Sequence, residues 1–147
     1  MREIKFRAWD RDYKYMNHKV MVGNVWDEEN YHAHMIWVDP ERVDYECEPG
    51  WKHFDENSNI ELMQYTGLKD KNGVEIYEGD IVENASKDLK FQVVYEAPSF
   101  NRKWIDNTSK RYREHLTEPL AWNTYMICEV IGNIYENSEL LEADSDE

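Results

Sequence analysis

The sequence predicts a mainly β protein, and three observations carry that prediction. The opening IKFRAW alternates apolar and polar residues with the two-residue period of a strand. Runs rich in Val, Ile, Tyr and Met recur along the 147 residues, each bounded by Asn, Asp, Gly or Pro. The glycines of MQYTGLKDKNGVEIYEGDIVEN sit where a chain of short strands turns its corners, and no helical period follows Gly79.

In IKFRAW, Ile4, Phe6 and Ala8 alternate with Lys5, Arg7 and Trp9, as in a half-buried strand, and Asp10 to Asp12 turns the chain. YKYMNHKVMVGNVW supplies one or two further strands ending near Trp26. DEEN at 27–30 separates VGNVW from HAHMIWV, so these flanks form a hairpin with an acidic tip. Asp39-Pro40 permits one helical turn, which Pro49-Gly50 keeps short. Ile60 to Thr66 reads as a strand, Asn72-Gly73 as a turn with positive φ, VEIY as extended and EGD as a second corner before IVEN. LKFQVVYE is a strand ended by Pro98, and 99–117 reads as a polar, aromatic, locally basic loop. TYMICEVIGNIYEN gives the last strands, with Gly132 at a bulge or a close backbone approach. NSELLE follows as a short helix capped by Asn137 or Ser138, with Leu140 and Leu141 docked, before an acidic tail.

Hydrophobic residues make up 41% of the chain, enough for one ordinary core. No run is long and apolar enough to cross a bilayer as a helix, and MREIKFRAWDRD has no apolar signal region, so the expected compartment is the cytoplasm. Cys47 and Cys128 form no CxxC pair and no disulfide framework; Cys128, inside an apolar strand, reads as core. The net charge of −14 is uneven: residues 27–61 hold 11 acidic against two basic side chains. Such a surface repels phosphate backbones and disfavours nucleic acid as a general partner.

MREIKFRAWD at the start, LMQYTGLKDKNGVEIYEGDIVEN in the middle and EVIGNIYENSELL near the end closely resemble, in order and wording, the YopX family of bacteriophage and prophage proteins. The resemblance implies an all-β structure with an SH3-like small barrel over residues 60–136. Residues 1–59 then form an N-terminal β elaboration carrying the acidic insertion, and 137–147 a short C-terminal helix and tail. It implies no catalytic residues, because the family's biochemical role is unassigned. Residues 27–59 and 99–117 depart from the shared strings, so individual specificity is expected there.

Three constellations remain. The acidic segment interleaves carboxylates with tryptophans, and Trp26, Glu28, Glu29, Trp37, Asp44, Glu46 and Trp51 are the candidate partner-binding residues. Aromatic anchors rimmed by carboxylates suit a basic protein partner, and ordered carboxylates can imitate DNA phosphates; a plain solubilising surface is the simpler account of the same residues. The basic 101–115 loop places Arg102, Lys103, Arg111 and Arg113 beside Trp104, the pattern of single-strand nucleic-acid binding, although internal ion pairing with the acidic segment explains it as well. His32 and His34, two apart on a strand, share a face as a metal pair requires, with Glu28, Glu29 or the more distant His53 as candidate third ligands. No HExxH or paired CxxC supports that site, and solvated histidines are the simpler reading. Acids around Gly79, among them Glu75, Glu78, Asp80 and Glu83, read as a solvated corner or an Asx-type turn at Asp80.

The expectation is therefore a non-enzymatic phage accessory protein that binds a macromolecule, foremost a basic host or phage protein, with no cofactor and no resident metal. The alternatives are a nucleic-acid-binding barrel using the basic loop and a metal-dependent hydrolase using His32 and His34. Self-association is left open by the aromatic content and the strand edges expected of a small barrel.

Overall fold

The computed structural model describes residues 3–26, 31–37, 50–54, 59–85, 89–96, 99–105, 117–120 and 128–142, with backbone alone for 23–26, 31–37, 50–54, 104 and 117–118. The protein is mainly β. Its strands are β1 (Phe6–Asp10), β2 (Tyr15–Asn17), β3 (Val20–Trp26), β4 (Tyr31–Trp37), β5 (Gly50–Phe54), β6 (Ile60–Lys69), β7 (Glu75–Tyr77), β8 (Asp80–Asn84), β9 (Lys90–Glu96), β10 (Ser99–Trp104), β11 (Thr117–Pro119) and β12 (Cys128–Asn133), followed by a 3₁₀ helix, Ser138–Leu141. The chain divides into two compact units, Glu3–Gln64 and Tyr65–Glu147.

In the first unit β1 lies between β2 and β6, antiparallel to both. Its neighbours explain a departure from the sequence reading: instead of alternating, Arg7, Ala8 and Asp10 are all buried. Ala8 is covered by Tyr15, Val20, Val22, Ile60 and Leu62. Asp10 Oδ1 accepts the backbone N–H groups of Asp12 and Tyr13, so it builds the turn into β2. That turn is closed by Lys14, a non-glycine residue at φ 49°. Strands β3, β4 and β5 form a separate three-stranded antiparallel sheet with β4 central. The expected hairpin around residues 27–30 is present as the β3–β4 pair; its tip, and the helical turn expected after Asp39, lie outside the described residues.

The second unit begins in β6, whose pairing with β7 shifts register between Tyr65 and Lys69 around Gly67 at φ 87°. The β6–β7 turn uses Gly73 at φ 81°, while Asn72 is not among the positive-φ residues expected there. Five strands then lie in the order β11-β10-β9-β8-β12, so the last strand in sequence returns to pair with β8. The core between them holds Ile76, Val82, Phe91, Val93 and Cys128, backed by Leu68, Leu89, Leu120 and Val130.

Asp70 ties the β6–β7 turn to β12. It is 3% exposed. Its Oδ1 accepts the N–H groups of Asn72 and Val74 at 2.8 and 2.9 Å, and its Oδ2 accepts that of Val130 at 2.9 Å. The N–H of Lys71 donates to the Cys128 carbonyl at 3.0 Å. A second tie runs through the Gly79 corner, whose N–H donates to Val93 O and whose carbonyl accepts from Ile134 N. Asp80 there is 1% exposed and accepts the Tyr77 N–H at 2.7 Å. The solvated alternative for this corner is thus replaced by a buried one, because an N–H inside the core must have an acceptor.

Gly132 lies at the β12 bulge, where register shifts between Val130 and Gly132. A Cβ there would stand 2.5 Å from Asn137 Oδ1, the atom that accepts the Asn133 N–H. Gly132→Ala is therefore expected to cost about 1–3 kcal/mol in urea denaturation, since either Asn137 moves and drops its bond or β12 shifts. Retention of full stability would show that Asn137 reorients freely. The C-terminal segment departs from expectation: it is a single 3₁₀ turn, Asn137 makes no side-chain capping bond, and Leu141 is exposed. Asn137 is already engaged with β12, which leaves the helix start to its backbone.

Candidate functional site

Of the partner-binding candidates, Trp26, Trp37 and Trp51 lie on the β3–β5 sheet, and its register shows how they are distributed. Trp26 ends β3 opposite Tyr31, the first residue of β4. Trp37 ends β4 opposite Val20 on β3 and Gly50 on β5, and Trp51 stands one step along, opposite Ile36. Tyr31 and Trp37 are thus at opposite ends of β4, about 20 Å apart at a rise of ~3.4 Å per residue. Glu28, Glu29, Asp44 and Glu46 lie outside the described residues. Their connections attach at different ends: 27–30 joins Trp26 to Tyr31, whereas 38–49 joins Trp37 to Gly50. The acidic segment is therefore anchored at both ends of one sheet instead of at a single tip, a separation that composition alone does not reveal.

Part of the acidic segment is engaged within its own unit. Glu61, opposite Trp9 in the β1–β6 ladder, pairs with Arg11. Asn59 Nδ2 donates to Asp12 Oδ2 at 2.7 Å.

The basic candidates divide differently. Residues 99–104, read from sequence as loop, are strand β10, paired on one side with β9 and on the other with β11. Polar residues mask the strand pattern here, and two neighbouring ladders supply what propensity does not. Arg102, opposite Val93, lays its guanidinium 4.7 Å from the centre of the Phe91 ring, a cation–π contact on the core. Lys103 is exposed, Trp104 is described by backbone alone, and Arg111 and Arg113 lie outside the described residues.

Chemistry at Cys128 is held down by its surroundings. The residue is fully buried, and burial pushes its thiol pKa up against the opposing pull of Arg102. A neutral, covered thiol is a core group and not a nucleophile. The acids near the Gly79 corner serve structure in the same way: Asp80 holds Tyr77 N, and Glu75 accepts from the Tyr77 hydroxyl at 3.0 Å.

The histidines are brought closer by register than by sequence. His34 on β4 is directly opposite His53 on β5 and opposite Gly23 on β3, while His32 is opposite Val25. Of the three candidate third ligands, His53 lies on the neighbouring strand, while Glu28 and Glu29 lie outside the described residues. Among the described residues outside this sheet, no three His, Cys, Asp or Glu side chains gather as a metal-binding group. Among the described residues, no helix is long and apolar enough to cross a membrane.

The crystal structure of protein EF1440 from Enterococcus faecalis is similar over 97% of this chain and 100% of its own, with 28% sequence identity and a TM-score of 0.59. No curated protein matches. The family model described as YopX protein matches residues 5–142, which takes in every described strand and the closing 3₁₀ turn. The chain belongs to the YopX family.

Proposed function

We propose that this protein is a non-enzymatic phage accessory protein that acts in the bacterial cytoplasm by binding a basic host or phage protein through the β3–β5 sheet and its acidic connections. The observation that carries the reading is the attachment of the acid-rich 27–30 and 38–49 segments to the two ends of one sheet, with Trp26, Trp37 and Trp51 on its three strands. Two acid-rich connections joined to the opposite ends of a sheet about 20 Å long give a basic partner negative charge at both of those ends, which is the sense in which imitation of a phosphate backbone enters. The second unit is the scaffold in this reading. An SH3-like barrel over 60–136 is supported by the return of β12 to β8 and by the tie from Asp70 to β12. The basic strand is the weaker alternative for binding, since Arg102 is committed to Phe91.

The test is affinity capture with mass spectrometry during phage growth, using the full chain and two charge-neutralised variants, Glu28→Gln with Glu29→Gln and Asp44→Asn with Glu46→Gln. A basic protein is expected to be captured in a salt-sensitive manner and lost with at least one variant. Capture that is insensitive to salt and survives both variants overturns the proposal.

A further inference from the structure

We propose that the β3–β5 sheet carries a binding site for a divalent transition metal of the zinc class, formed by His32, His34 and His53. Three of the five histidines of the chain lie on this sheet. His32 and His34 are two apart on β4, and positions two apart on a strand share a face. His53 is the register partner of His34, and directly opposed residues of antiparallel strands share a face as well. The three positions therefore form a triangle on one side of the sheet: two along a strand, the third across from one of them. Opposed positions have Cβ atoms ~4.5–5.5 Å apart and diagonal ones ~7–8 Å or somewhat less, so the three positions fall within the span of one metal site.

Register is what makes the triangle. A slip of one residue between β4 and β5 would place His53 opposite position 33 or 35, on the other face. The register holds over five consecutive pairs, from Ala33 with Phe54 to Trp37 with Gly50. On the other flank of His34 the partner is Gly23, which contributes no side chain to compete for the space. Three neutral imidazoles suit borderline ions such as Zn²⁺, and three protein ligands leave a fourth tetrahedral position for water. The eight acidic residues of 27–30 and 38–49, the two segments joined to the ends of this sheet, add a field that concentrates cations there.

The test begins with the full chain stripped of metal by chelation and dialysed, then titrated with zinc chloride in a calorimeter. One equivalent is expected to bind, in the presence of excess magnesium. His34→Ala and His53→Ala are expected to weaken binding by at least the roughly 10–100-fold that even an outer-shell partner is worth. His18→Ala, at an exposed position outside the triangle, is expected to leave it unchanged. If the triangle variants fail to fold, histidine modification of the native chain read by mass spectrometry decides. Zinc is expected to protect positions 32, 34 and 53 and to leave 18 reactive. Absence of saturable uptake, displacement by magnesium, or uptake and protection indifferent to His34 and His53 overturns the site.

Discussion

Asp70→Ala is expected to lower the unfolding free energy by about 3–5 kcal/mol, read as a shift of the urea midpoint at constant slope. The side chain is 3% exposed and accepts three backbone N–H groups, two in its own turn and one from Val130 on β12. A bond to a charged acceptor is worth ~1.5–3 kcal/mol, but Asn72 and Val74 lie in an exposed turn where water replaces much of what they lose. Val130 is partly buried and has less recourse to solvent, so it carries the larger share. Asp70→Asn separates the two contributions. The amide oxygen can keep the turn, while its NH₂ would face the Val130 N–H, donor against donor. That variant is expected to cost about 1.5–3 kcal/mol. A loss below about 1 kcal/mol for the alanine variant would mean that the turn and β12 hold together without Asp70.

Phe91→Ala is the second large effect, expected at about 3–5 kcal/mol in the same measurement. The ring is 1% exposed and packs with Ile76, Val82, Val93 and Cys128, so its removal leaves a cavity bounded by three strands and the β12 start. Small neighbours cannot close a gap of that size without breaking ladder bonds, which places the cost near the upper part of the range for aromatic truncation. The Arg102 guanidinium over the same ring adds a contact that Phe91→Leu would lose while keeping most of the volume. A double-mutant cycle between Phe91→Leu and Arg102→Met is expected to give a coupling of about 0.5–1 kcal/mol. A coupling of zero would show that the arginine merely rests on the ring.

Where sequence reading succeeded, single residues announced their own constraint. Gly132 follows Val130 and Ile131 in β12, where a bulge or a close backbone approach was expected; the structure has the bulge, and the close neighbour is the Asn137 side chain. The β3–β4 hairpin was visible because apolar runs flank a four-residue polar break. Where it failed, the deciding interaction was non-local. Nothing within NRKW marks a strand, since β10 exists by virtue of β9 and β11. Asp70 and Asp80 are two of 31 acids, and their burial is set by partners that sequence distance hides: Val130 lies 60 positions from Asp70. The DKNG turn gave one available clue, an aspartate at its first position, which is where a side chain can take up the N–H groups that follow. The histidine triangle was half legible. Parity put His32 and His34 together, but the 12 residues between β4 and β5 leave the register of His53 undetermined until the strands pair.

The pairing of β12 with β8 has a consequence for biosynthesis. Residue 84 must wait for residue 128 to emerge from the ribosome before that ladder can form. Until then a nascent chain carries β8 with one side unzipped and Ile76, Val82 and Phe91 without Cys128 against them. Arrest or cleavage of translation products ahead of Cys128 should therefore yield a species that sticks to chaperones, and synthesis of β12 governs whether a newly made molecule stays dispersed.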